Sequence, residues 1–251
     1  MLLFQCTKDA AEALTVTRKG VIESFVETKP APIEQTAWVW QLHAVKIDRK
    51  LVFIAMQADT RFAMVFWGIK KGDAESLLQL FFERLANHVF WLVEDAQALD
   101  EQAAFKMVDQ LLEACRSLAF HAGSDRSVQT HINEVARQCK YGFDAVGHLP
   151  DNREEAAGFD ENMNQMPRSV RGGSYFFPAQ ELLCNTLRDF AGFDAGKLSA
   201  VRQAVQEAKR RQGAEMLLGH AQLMNPQEGD AMQALIEQLL AQGSKGKKSL
   251  H

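Results

Sequence analysis

A basic side chain and a hydroxyl stand where the sequence predicts that a strand gives way to a helix. Arg126 ends a short polar loop that follows the apolar segment 118–121, and Ser127 opens an amphipathic helix. A helix start exposes unpaired N–H groups with a partial positive charge, and a guanidinium adds donors that match phosphate or carboxylate. The sequence therefore predicts an anion-binding loop. The alternative is that Ser124, Asp125 or Ser127 simply caps the helix and Arg126 pairs with a nearby acid.

Further cationic and amide side chains occupy comparable positions along the chain. Lys8 and Arg61 come just after predicted strand ends, Asn133 lies about two turns into the helix, and Asn164 lies in a later polar segment. Loops at strand ends often gather on one edge of a sheet, which would bring these groups together. Scattered surface charges are the alternative. The predicted ligand-binding residues are Lys8, Arg61, Arg126, Ser127, Asn133 and Asn164.

Catalytic and metal-binding patterns are not recognisable in the sequence. It contains seven histidines but no HExxH or GxSxG motif, and the loop lacks the Gly-rich run of a P-loop. His121 and His131 flank the loop and could serve as general acid–base groups in an unrecognised hydrolase, or be structural. The four cysteines are far apart, which predicts free buried thiols and no metal site. We predict no cofactor, and whether the chain is an enzyme stays open.

Several apolar segments predict the elements that must position these residues. Residues 36–47 alternate between apolar and polar, residues 51–56 are apolar on both faces, and residues 62–67 return after a turn. Short connections between them predict an antiparallel β-meander. Residues 2–6 predict one more strand, and residues 15–35 predict mostly loop. Helices with apolar side chains at helical spacing follow, so we expect an α+β fold in which helices pack on one side of the sheet.

Composition shifts divide the chain into four predicted parts. Residues 1–146 form an α+β domain, and the polar, Pro- and Gly-containing residues 147–177 form a long loop or hinge. Residues 178–242 predict a helical C-terminal region. Residues 243–251 predict a disordered basic tail.

Net charge and hydropathy limit which partners the protein could bind and where in the cell we expect it. The 251 residues carry a net charge of −4, so nucleic-acid binding would require a local basic patch. The longest apolar runs are too short to span a bilayer, and the amino terminus lacks the features of a signal peptide. We therefore predict a cytoplasmic protein with no membrane partner.

Four short motifs occur in a fixed order. They are Cys6-Thr7-Lys8, Ala58-Asp59-Thr60-Arg61, Asp125-Arg126-Ser127-Val128 followed by Asn133, and Asn164-Gln165-Met166-Pro167. Through these motifs, residues 1 to about 182 resemble an uncharacterised bacterial family of unknown function. The resemblance implies no activity, cofactor or site. The helices after residue 190 look like an addition to the family.

Two function classes follow from these features. The first is binding of a phosphate-bearing ligand, a nucleotide or nucleic acid, at the strand–loop–helix site. The second is a non-enzymatic protein-interaction or regulatory module, in which a protein partner docks on the amphipathic C-terminal helices.

Overall fold

A computed structural model describes residues 1–29, 38–150, 152–170, 172–221 and 233–234. Its strands and helices follow one another as β1 (Leu2–Cys6), α1 (Lys8–Ala13), β2 (Thr15–Arg18), β3 (Val21–Ser24), β4 (Trp38–Ile47), β5 (Lys50–Gln57), β6 (Ala63–Trp67), α2 (Ala74–Asp95), α3 (Glu101–Ala114), β7 (Leu118–Ala122), α4 (Arg126–Val146), α5 (Arg153–Gln165), β8 (Arg168–Ser169), β9 (Tyr175–Phe176), α6 (Pro178–Ala191) and α7 (Ala195–Ala221).

The main sheet has five strands in the order β6-β5-β4-β1-β7. Strands β4, β5 and β6 pair in antiparallel fashion through short turns, which confirms the predicted meander and the α+β class. Strand β1 lies between β4 and β7 and is parallel to both. The sheet is therefore mixed, and the carboxyl ends of β1 and β7 lie side by side.

Helices cover both faces of this sheet, so the prediction that they pack on one side is wrong. On one face, Ile54 of β5 lies in an apolar cluster with Val128 and Ile132 of α4. On the other face, the ring of Phe81 in α2 lies 4.9 Å from the ring of Trp40 in β4. Because β5 is apolar on both faces, each face must be covered to remove its side chains from water.

The outer edge of β6 is closed by side chains instead of another strand. The Asn164 amide accepts a hydrogen bond from Ala63 N (2.8 Å) and donates one to Ala63 O (2.7 Å). The Asp160 carboxylate accepts from Val65 N (3.0 Å), and the Arg84 guanidinium donates to Val65 O. These bonds satisfy the backbone groups that an edge strand otherwise leaves open, and they fix α5 against the sheet.

Two segments that were expected to be loop contain regular structure. Residues 147–177, predicted to be a long loop or hinge, contain α5 and the short β8–β9 hairpin. Asn152 caps α5 by accepting a hydrogen bond from Glu155 N at 2.9 Å. Residues 15–24, also predicted to be mostly loop, form the β2–β3 hairpin. Both segments have few buried apolar residues, so neither shows the hydrophobic period that identifies an element in sequence.

The chain divides into two compact units, residues 1–193 and residues 194–251. Helix α6, which was assigned to the C-terminal region, belongs to the first unit. Asp194 precedes α7 and accepts a hydrogen bond from Lys197 N at 2.8 Å. The predicted basic tail, residues 243–251, lies outside the described residues. No helix within the described ranges is long and apolar enough to cross a bilayer.

All four cysteines are buried and none forms a disulfide bond, as predicted. Burial raises the pKa of the Cys6 and Cys139 thiols to about 12 and that of Cys115 to about 11. These thiols are therefore neutral and unreactive at physiological pH.

Candidate functional site

The predicted strand–loop–helix connection is present between β7 and α4. Asp125 caps α4, since its side chain accepts a hydrogen bond from Val128 N at 2.9 Å. The buried Gln41 side chain accepts a hydrogen bond from Asp125 N at 2.6 Å and holds the loop against β4. Arg126 is the first residue of α4 and is exposed. Of the three candidates for the cap of this helix, Ser124, Asp125 and Ser127, the structure shows Asp125 in that role.

Arg61 reaches the start of α4 from the turn between β5 and β6. Gln57 shapes this turn by accepting hydrogen bonds from the backbone N–H groups of Asp59 and Thr60. Arg61 has a φ of 60°, in the left-handed region that non-glycine residues rarely adopt. Its side chain is carried inward, where Nη2 donates to Ser127 Oγ at 3.1 Å and the residue is only 7% exposed.

A second buried arginine, Arg168 of β8, meets the same helix one turn further on. Its Nη1 donates to His131 O at 3.4 Å and its Nη2 to Met163 O at 3.5 Å, both long for hydrogen bonds. Arg168 is 6% exposed. Ser127 and His131 are four residues apart on α4, so their Cα atoms lie about 6 Å apart along the helix.

The charges of Arg61 and Arg168 are poorly compensated. Within the described part of the chain, Nε of each side chain is buried without a hydrogen-bond partner, as is that of Arg84, and no carboxylate lies within ion-pair distance of the Arg61 or Arg168 guanidinium. Burial lowers the pKa of Arg61, and the more distant Asp125 and Asp59 oppose this only in part. Burial likewise lowers the pKa of Arg168, with Glu134 opposing it and Arg61 adding to it. Both groups nevertheless stay protonated, because arginine does not lose its proton in proteins.

Lys8, the second predicted cation, lies elsewhere. It begins α1, is exposed, and pairs with Glu12 at 3.9 Å. It lines a cavity of about 650 Å³ beside the carboxyl ends of β1 and β7, together with Ser124. Strand β5 is antiparallel to β4 and ends at Gln57, opposite Trp40, and Arg61 lies in the turn that follows. Strand β1 is parallel to β4 and ends opposite Leu42, so β1 and β5 end in opposite directions along the sheet. The strand-end residues therefore do not all converge on one edge.

The two predicted asparagines have separate surroundings. Asn133 is exposed and accepts a hydrogen bond from Gln129 Nε2 at 2.9 Å, and Gln129 in turn bonds Gln41. Asn164 is fully buried at the β6 edge, where its amide bonds Ala63 and Asp160 O. Neither amide is brought to the guanidinium of Arg61 by these contacts.

The two histidines that flank the loop do not form a triad with Ser127. His131 Nδ1 lies 3.3 Å from Glu134 Oε2, and His121 Nδ1 lies 2.9 Å from Lys29 O. Ser127 contacts Arg61 instead. Across the residues that the structure describes, no group of three or more His, Cys, Asp or Glu side chains is placed to hold a metal ion.

Arg168 was not identified from sequence. It directly follows the Asn164-Gln165-Met166-Pro167 motif, so its position next to a motif was the available signal. Its two-residue strand is too short to show a period, and burial of a guanidinium cannot be read from hydropathy. The site that the structure assembles therefore joins Arg61 and Ser127, which were predicted, with Arg168, which was not.

A family model described as "Domain of unknown function (DUF6933)" matches residues 3–181. The match includes Arg61, Ser127 and Arg168 and ends within α6, before the second unit begins. No curated protein and no solved structure matches the chain.

Proposed function

Since the chain belongs to this family, whose function is not defined, we propose from its own residues that it binds a phosphate-bearing ligand through Arg61, Ser127 and Arg168. The ligand class is a nucleotide or nucleic acid. The observation that carries the proposal is the pair of buried guanidinium groups for which the described residues offer no carboxylate at ion-pair distance, whereas the buried Arg84 is paired with Asp160. Leaving a buried charge unpaired is costly, and an anion bound here would remove that cost.

Donor capacity supports an oxygen-rich anion. A guanidinium carries five N–H donors, yet among the described residues Arg61 donates one hydrogen bond and Arg168 two long ones. Planar guanidinium groups match the geometry of phosphate oxygens. The Ser127 hydroxyl, half-buried at the start of α4, can donate its own proton to a third oxygen.

Charge supports phosphate over a simple carboxylate. Two guanidinium groups contact successive turns of α4, and a phosphate group brings up to two negative charges whereas a carboxylate brings one. Exposed Arg126, the neighbour of Ser127 in the chain, supplies a further cation for a second phosphate. Such a local patch is what an acidic protein with a net charge of −4 needs to bind a nucleotide or nucleic acid.

Thermal unfolding with added ligand tests the proposal. Inorganic phosphate, ATP and a short single-stranded oligonucleotide are added in turn to the wild type and to Arg61→Met, Arg168→Met and Arg137→Ala. Arg137 is an exposed arginine further along α4 and serves as the matched control. We expect each ligand to raise the Tm of the wild type and of the control, because binding to the folded state alone stabilises it by about 2.7 kcal/mol at 100 times Kd. The two buried-arginine variants should show no shift.

Two outcomes contradict the proposal. Absence of a shift with all three ligands removes phosphate binding altogether. An equal shift in Arg168→Met and in the wild type shows that phosphate binds elsewhere. Arg126→Ala then separates the ligand classes: we expect it to leave the response to inorganic phosphate unchanged and to weaken oligonucleotide binding about three- to tenfold, with a shallower dependence on salt.

The interaction-module alternative is supported by a different observation. The β2–β3 hairpin and the residue that follows it expose Val21 (62%), Ile22 (72%) and Phe25 (55%) to solvent. A cluster of exposed apolar side chains is typical of a protein contact. Sedimentation of the wild type and of the Val21→Ser/Ile22→Ser variant at increasing concentration tests it: concentration-dependent association that the variant loses would favour this candidate, and monomers throughout would count against self-association.

A further inference from the structure

A groove of about 850 Å³ lies between α2 and α5, and its lining does not include Arg61, Ser127 or Arg168. From α2, Trp91 and Asp95 line it one helical turn apart. From α5, Glu154, Gly158 and Glu161 line it at steps of four and three residues, which places them on one face of that helix. The groove is therefore bounded by two regular helices.

A histidine with one free ring nitrogen lies at the floor of the groove. His88 is 5% exposed and lines the groove, and its Nε2 lies 3.2 Å from Asp160 Oδ2. Arg84 bonds the same carboxylate. In the neutral ring, donation from Nε2 to Asp160 leaves Nδ1 as a hydrogen-bond acceptor. No described residue bonds Nδ1, so this acceptor is available to a ligand in the groove.

The groove carries excess negative charge. Glu83 pairs with Arg153 at 2.8 Å, and Arg84 pairs with Asp160, so both arginines that line the groove are already neutralised. Three lining carboxylates form no ion pair with any described residue, and these belong to Asp95, Glu154 and Glu161. A cation is therefore favoured at this surface.

Aromatic side chains and the spacing of the carboxylates define the kind of cation. The ring of Trp91 is 42% exposed and lies 5.7 Å from the His88 ring, and the ring of Phe62 lies 5.4 Å from His88. Aromatic faces attract organic cations and pack against hydrocarbon. Glu154 and Glu161 are seven residues apart, which corresponds to about 10 Å along α5. An extended molecule with several charged nitrogens would meet these carboxylates one after another.

We propose that the groove between α2 and α5 binds a linear aliphatic polyamine, with an N–H group donated to His88 Nδ1. The ammonium groups lie near Asp95, Glu154 and Glu161, and the methylene chain packs on the exposed Trp91. This site is independent of the phosphate-binding proposal, since it shares none of the residues Arg61, Ser127 and Arg168.

Gly158 provides a way to close the groove while keeping the fold. A Cβ added at Gly158 meets no atom within 4 Å, so a side chain there projects into open space. Gly158→Phe fills the groove, whereas Gly158→Ala adds one methyl group, favours the helix and serves as the matched control. Asp95→Asn/Glu161→Gln alters only exposed carboxylates and therefore leaves folding intact. His88→Gln keeps a donor for Asp160 and removes Nδ1.

Isothermal titration of the full chain with spermidine and putrescine is the test, with magnesium chloride as the inorganic cation. We expect spermidine to bind the wild type and Gly158→Ala within twofold of each other, and at least tenfold more weakly to Gly158→Phe, to His88→Gln and to Asp95→Asn/Glu161→Gln. Circular dichroism confirms that each variant is folded.

Any of three results overturns the proposal: no spermidine binding to the wild type, undiminished binding to Asp95→Asn/Glu161→Gln, or magnesium binding as tightly as spermidine. The rise in Tm that inorganic phosphate causes should be the same in all these variants as in the wild type, because none of them alters Arg61 or Arg168.

Discussion

Buried arginines meet two opposite environments in this protein. Arg84 donates hydrogen bonds to Val65 O, Ala156 O and the fully buried Asp160 carboxylate, so its charge is matched within the fold. Arg61 and Arg168 are as deeply buried, and Nε lacks a partner in all three side chains, but the described residues offer Arg61 and Arg168 no carboxylate at ion-pair distance. Burial of a charge is tolerated when it is paired, and an unpaired one indicates either a cost that the fold carries or a partner from outside.

The difference in charge pairing corresponds to the strands, helices and turns that each arginine connects. Arg84 joins α2 to β6 and α5, and its network closes the edge of the sheet, which is a structural task. Arg61 and Arg168 come from a turn and a two-residue strand, and both point at the first turns of α4. Loops held by a rigid scaffold often carry ligand-binding residues. We therefore expect substitutions at the two places to act on stability with opposite signs.

The largest effect is expected at Asp160. Replacing Asp160 with Asn leaves Arg84 buried without a counter-charge and weakens the bond to Val65 N, so the free energy of unfolding should fall by about 3–5 kcal/mol. Urea unfolding measures this. Glu161→Gln, at the exposed neighbour, should change stability by less than about 0.5 kcal/mol. A similar small loss for both variants would show that the network does not hold the edge of the sheet.

A smaller loss is expected at Asn164. Asn164→Ala leaves Ala63 N and O unpaired at the β6 edge, and an unsatisfied buried group costs about 1–3 kcal/mol. Asn133→Ala is the matched control, because Asn133 is exposed and should contribute less than about 0.5 kcal/mol. Urea unfolding of both variants separates a structural asparagine from a surface one. Equal stability of the two variants would contradict the assignment of Asn164 to the edge.

The opposite sign is expected at Arg61. In phosphate-free buffer, Arg61→Met should raise the free energy of unfolding by about 1 kcal/mol, because an apolar side chain of similar length replaces an uncompensated buried charge. Arg84→Met should lower it, since Asp160 then loses its partner. Guanidinium unfolding of the two variants gives the comparison directly. If both substitutions lowered the free energy of unfolding, Arg61 would have a structural role like that of Arg84.

The smallest effect concerns buried ionisable groups that stay neutral. Burial raises the pKa of Cys6 and Cys139 to about 12, so neither thiol forms a thiolate at pH 8. We expect no reaction of the native protein with a thiol-directed disulfide reagent over minutes, and four reactive thiols after unfolding in guanidinium. Rapid reaction of the native protein at pH 8 would show that these cysteines are accessible.

These regions also differ in how much of their structure could be predicted from the sequence. Alternating and continuous apolar runs predicted β4, β5 and β6, because burial of apolar side chains leaves a period in the chain. Helix α5 was missed because its most buried residues, Asp160 and Asn164, are polar and bond strand residues 95 to 101 positions away. Arg61 and Ser127 were singled out by their places after a strand and at a helix start. Their contact with each other spans 66 positions, and only the folded chain brings them together.

A crystal structure of the protein grown with inorganic phosphate tests the central claim most directly. The account predicts phosphate bound between the guanidinium groups of Arg61 and Arg168, with oxygens about 2.9 Å from their N–H donors and from Ser127 Oγ. The result that would contradict it is a structure in which neither guanidinium contacts an anion at saturating phosphate and each Nε stays without a partner.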